Sequence, residues 1–92
     1  MDDMTPADSS SHLATISHDG RFWEVYLDFE VDPARSDSQR GFLRFSPADG
    51  QPEDSVRTAT ILIEETGEQV VRKAKGMGDH MLVALLRSAL PD

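Results

Sequence analysis

The stretch Arg21–Asp32, RFWEVYLDFEVD, is the strongest constraint on how this chain can fold. Trp23, Val25, Leu27, Phe29 and Val31 alternate there with Phe22, Glu24, Tyr26, Asp28 and Glu30. Successive side chains of a strand point to opposite faces, so a period of two predicts a strand with one dry face and one wetter face. The residues before it can be tested against that reading. Asp19-Gly20 is a favoured type I′ pair, because both central positions of that turn need positive φ. A two-residue loop there pairs His18 with Arg21, Ser17 with Phe22, Ile16 with Trp23, Thr15 with Glu24 and Ala14 with Val25. Ile16 and Ala14 then join the dry face, whereas a one-residue slip sends both to the wrong one. The pattern predicts a hairpin of 12–18 and 21–31.

Asp32–Gln39 is polar and carries Pro33, hence a loop. Arg40–Ser46 alternates again, with Leu43 and Phe45 on the dry face and Arg40, Phe42 and Arg44 on the other. Ser46–Ser55 is a second loop. Val56–Glu65 reads as the fourth strand, with Ala59, Ile61 and Ile63 dry and Thr58, Thr60, Leu62 and Glu64 outward. Strands adjacent in sequence usually pair, which gives a meander in the order 1-2-3-4. At Thr66-Gly67-Glu68-Gln69 the period changes. Thr66 is placed as an N-cap and Gln69, three residues on, as its capping-box partner. At 100° per residue, Val70, Val71, Ala74, Met77, Gly78, Met81, Leu82, Leu85 and Ala89 share one side of a helix. That phase persists across Gly76-Met77-Gly78, so the pattern predicts one helix over 67–90, bent or weakened at the glycines and ended by Pro91. The alternative is a break there, with Asp79 capping a second short helix. Gly78, inside the stripe, is expected to let the helix approach the sheet. The fold class is α+β: a four-stranded antiparallel meander with a C-terminal α-helix packed on one face, ββββα. It occupies 12–92, behind a disordered, acidic and serine-rich tail at 1–11.

Composition narrows the function classes. The 92 residues contain no cysteine, which removes thiolate nucleophiles, disulfides and Cys-based metal sites and fits a reducing, cytoplasmic setting. No apolar run approaches the roughly 20 residues of a membrane helix. The formal net charge is −8, a field that repels phosphate backbones and anionic membranes. Aspartate outnumbers glutamate and arginine outnumbers lysine, a pattern shared with proteins of high-salt cytoplasm; ordinary acidic solubility is the other explanation. The high-salt reading requires the melting temperature to rise in molar KCl.

Motifs for chemistry are missing. His12, His18 and His80 have no helical zinc spacing, and His12 and His18 fall on one strand face about 20 Å apart at ~3.3 Å per residue. Asp19 and Asp49 belong to Asp-Gly turns. There is no GxSxG elbow, no phosphate-binding glycine loop and no DxDxDG calcium pattern. Glu24, Asp28 and Glu30 share the outer face of strand 2, where cross-strand pairing with Arg40 and Arg44 accounts for them. No catalytic, metal or cofactor site is expected.

The outer sheet face is the remaining candidate. It is expected to carry Phe22, Tyr26, Arg40, Phe42, Arg44 and Leu62 among carboxylates and threonines. Aromatic residues and arginine in that mixture suit a protein interface. They also suit a platform on which single-stranded nucleic acid stacks. The order of four meander strands and a capped helix, 12–90, resembles the PC4 and Whirly single-strand-binding transcriptional regulators. The resemblance implies DNA binding on the sheet and dimerisation through the helix. The acidic strand 2, the acidic loop 46–55 and the net charge oppose the first implication. The sequence therefore predicts a small non-enzymatic domain that binds another protein or a second copy of itself, through this face or the C-terminal helix. A single-strand nucleic-acid regulator is the alternative.

Overall fold

The computed structural model describes residues 11–31, 34 and 38–91. Along the chain lie β1 (Ser11–His18), β2 (Arg21–Glu30), β3 (Gln39–Pro47), β4 (Val56–Arg57), β5 (Leu62–Glu64), α1 (Gly67–Lys75) and α2 (Asp79–Ala89). The sheet is antiparallel, in the order β1-β2-β3-β4, and β5 pairs with the other half of β3. Both helices follow the sheet in sequence, so the α+β meander class holds. Residues 1–10 of the expected tail lie outside the described residues, and Ser11 opens β1.

The first hairpin has the expected register from His18↔Arg21 to Ala14↔Val25. Its turn adopts the left-handed conformation at both central residues, Asp19 at φ 55° and Gly20 at φ 78°. Asp tolerates that region and Gly occupies it freely, which is why this dipeptide suits the site. Beyond Ala14 the register shifts by one residue, and His12 faces Tyr26. Leu13 is the extra residue of a β-bulge and packs with Ala14 against the core. The bulge moves His12 to the outer face, so His12 and His18 do not share a face as strict alternation required.

Trp23, Val25, Leu27, Leu43 and Phe45 form the floor of the core. Val31, expected to extend this face, is 86% exposed beyond the end of β2.

The fourth strand differs most from expectation. Phe45 pairs with Val56 and Gly41 with Leu62: four residues along β3 face six along its partner, so two residues bulge out between β4 and β5. An even insertion keeps the phase, and both Val56 and Leu62 face the core. Leu62 is 4% exposed, whereas Ile61 and Ile63 are 38% and 49% exposed and Ala59 is also exposed. The dry face was therefore assigned one residue out of phase: Ile61-Leu62-Ile63 is apolar throughout, and its alternation carries no phase of its own.

Thr58 bridges the interruption. Its amide donates to Leu43 O at 2.9 Å, and its buried hydroxyl accepts from Leu43 N at 3.1 Å and donates to Ala59 O at 2.7 Å. A side chain thus replaces the missing ladder acceptor. Thr58→Val keeps the shape and leaves the Leu43 N–H unpaired, which is expected to cost about 1–3 kcal/mol in a urea titration; Thr58→Ser should recover most of it.

The helical region is two helices, not one. Thr66 caps α1 with the full reciprocal pair: Gln69 N donates to Thr66 Oγ1 and Thr66 N to Gln69 Oε1, both at 3.1 Å. α1 ends at Gly76, and α2 begins after Gly78 without a side-chain cap, so Asp79 occupies the first turn and does not serve as the cap. The break also rotates the buried side. Leu82 and Leu86 are buried in α2, while Met81, expected within the stripe, is 52% exposed. Close approach to the sheet occurs at Gly41 and not at Gly78. A Cβ on Gly41 would meet Val70 Cγ1 at 2.9 Å and Leu27 Cδ1 at 3.2 Å, whereas Gly78 has nothing within 4 Å. The missing side chain of Gly41 is what seats α1 on β3.

Candidate functional site

With one face closed by the helices, the opposite face of β1–β3 and β4 displays the other half of each strand's alternation. Arg44 lies across it. Its Nε donates to Asp28 Oδ2 at 2.9 Å, and its guanidinium sits 4.4 Å from the Tyr26 ring centroid. Arg57 repeats the arrangement one step away, 3.6 Å from the Phe42 ring, with Nη2 donating to Glu30 Oε1 at 3.2 Å. Thr60 Oγ1 donates to the same Glu30 oxygen at 3.0 Å. On the β1 side, Thr15 Oγ1 donates to Glu24 Oε1 at 2.7 Å, and His12 Nε2 lies 2.6 Å from that oxygen. The His12 ring meets Tyr26 edge-on with centroids 5.4 Å apart. Aromatic rings, guanidinium groups and carboxylates thus alternate across strands, a pattern that combines cation–π and charge-assisted contacts.

Of the residues expected on this surface, Phe22 stands at the turn end and is 63% exposed. Tyr26, Arg40 and Arg44 are half-buried, and Phe42 is covered by Arg57. The Arg40 Nε is buried without a hydrogen-bond partner among the described residues. Leu62 belongs to the core on the opposite face, a correction that follows from the phase of β5. Arg57, Ile63 and His12 take places that sequence reasoning did not assign. Val56-Arg57 contains the signal for Arg57, since an apolar residue beside a charged one sets the strand's phase; nothing local marks the bulge that delivers His12.

The hydrogen bond from Thr15, and then the contact with His12, hold the Glu24 carboxyl below its ordinary 4.5. The carboxylate form is the one favoured by folding. Its contribution is present above 4.5 and lost as pH falls through the lower folded value. An NMR titration is expected to place the Glu24 midpoint below 4.5, and Thr15→Ala should move it upward.

Among the described residues no group of three or more His, Asp or Glu is placed to hold a metal ion, and no helix is long and apolar enough to cross a membrane. No protein-family model, no curated protein and no solved structure matches the chain.

Proposed function

We propose that this is a non-catalytic cytoplasmic binding domain whose outer sheet face docks against a second copy of the chain. The observation that carries the reading is local charge balance. Arg40, Arg44 and Arg57 share the face with Glu24, Asp28 and Glu30, so it is formally neutral in a protein of net charge −8. Two copies can approach there without the repulsion the rest of the surface imposes. A two-fold arrangement is self-complementary and brings this same neutral patch of both copies together. Tyr26, Phe22 and the arginines are residue types that interfaces favour. In a dilution series followed by amide shifts, concentration-dependent changes should centre on Phe22, Tyr26, Phe42 and Arg44. Changes spread evenly over the chain, or none, contradict this placement.

The nucleic-acid reading meets a physical obstacle on the same face. Arg44 and Arg57 already pair with Asp28 and Glu30, so a phosphate has to displace those carboxylates. Anisotropy of a labelled single-stranded oligonucleotide at low salt, where phosphate contacts are strongest, is expected to show no binding.

A further inference from the structure

A second site lies away from the outer face. Between the Asp19-Gly20 turn, the turn at Pro52–Asp54 and the end of α2 is an open cleft of about 560 Å³. That volume falls within the ~300–1,000 Å³ usual for ligand pockets. Trp23 forms part of its wall and is 5% exposed, yet its indole Nε1–H has no acceptor among the described residues. Buried donors are normally paired, so this one calls for an acceptor that the described residues do not supply. Asp19, Glu53 and Asp54 stand around the opening. The Asp54 carboxylate accepts from Gln51 N at 3.2 Å, while no ion pair reaches Asp19 or Glu53 among the described residues. Arg21 is the one arginine on the wall. Its charge is turned to Asp49, outside the cleft, at 3.1 Å, and its guanidinium lies 5.3 Å from the Trp23 ring. His18 completes the polar rim, and Leu90 and Val56 supply apolar surface.

We infer that this cleft docks a basic peptide segment of a partner protein. A lysine or arginine side chain lies among the carboxylates of Asp19, Glu53 and Asp54, and a backbone carbonyl beside it accepts from Trp23 Nε1. One segment meets both demands of the site, a cation for the acidic rim and an acceptor for the buried donor. An acid or a phosphate meets only the second and is opposed by the rim. The site uses none of the residues proposed for self-association.

Trp23 is the only tryptophan, so its emission reports occupancy directly. The probe is an acetylated, amidated peptide of alternating lysine and glycine, with the glutamate–glycine peptide as counterpart. The lysine peptide is expected to shift the emission saturably, with an apparent Kd that weakens between about 50 and 500 mM salt. The counterpart should have no effect. Asn tolerates the conformation of residue 19, so the Asp19→Asn/Glu53→Gln pair retains the turn and should weaken binding roughly fivefold, the expected loss of two exposed ion pairs. Glu65→Gln/Glu68→Gln, with the same change in net charge elsewhere, should leave it unaltered. No saturable shift, an equal shift with the glutamate peptide, or equal weakening by both pairs of substitutions overturns the proposal.

Discussion

Trp23→Ala is expected to lower the unfolding free energy by about 3–5 kcal/mol, the range for deleting a large buried aromatic side chain. A domain of this length holds roughly 5–14 kcal/mol in all, so the variant should be largely destabilised and unfold at much lower urea. The reason is position: Trp23 is 5% exposed, pairs across the hairpin with Ile16 and packs in the main core. Trp23→Phe should cost considerably less. It leaves a smaller cavity and removes a buried donor that has no acceptor among the described residues. Tyr26, three residues on and facing outward, provides the contrast. Tyr26→Ala loses a half-exposed ring and the stacking of Arg44, and should cost about 1 kcal/mol. Equal losses at the two positions would mean that the faces of β2 are assigned wrongly.

Leu62→Ala is the second large effect. Loss of this buried side chain is expected to cost about 2–5 kcal/mol. Ile63→Ala, at the neighbouring and half-exposed position, should stay within about 1 kcal/mol, because half of that residue's surface already contacts water. The pair discriminates sharply between the two phases open to this segment. Leu62 shares a face with Gly41 and sits among Val70 and the other core residues, whereas Ile63 shares a face with Arg40. A larger loss at Ile63 would restore the phase in which Ala59, Ile61 and Ile63 are dry.

The contrast between these two strands shows what sequence patterning can carry. In β2, apolar and polar residues alternate with a turn of defined chemistry at one end, so both register and facing were legible down to the partner of Ala14. The capping box of α1 was legible for a related reason: Thr66 and Gln69 satisfy each other's orphan backbone groups within a single turn. In 59–63 neither signal exists. The segment is almost uniformly apolar, and its phase is fixed at a distance by Val56 against Phe45 and by a two-residue bulge that Thr58 stabilises. The helix break was hidden differently. The apolar period runs unbroken through Gly76-Met77-Gly78, and only the break between the helices, seen in the structure, turns Leu86 inward in place of Met81.

The candidate surface was legible in part for the same reasons. Tyr26, Arg44 and the carboxylates of β2 follow from alternation in the two best-defined strands. Arg57 was hidden by the error of phase in the fourth strand, and Leu62 was placed on the wrong side by that same error. His12 arrives through a bulge at Leu13 that keeps a leucine in the core and has no mark in the local sequence. Charge balance, the property on which the proposed association rests, emerges only after Arg57 joins Arg40 and Arg44.

Sedimentation equilibrium over about 10 μM to 1 mM, a range in which weak specific association becomes measurable, tests that association most directly. The chain should pass from monomer to dimer with concentration, and the Tyr26→Ala/Arg44→Glu double variant should remain a folded monomer throughout. A wild-type chain that stays monomeric at the highest concentration, or a variant that dimerises equally well, contradicts the outer face as the site of association.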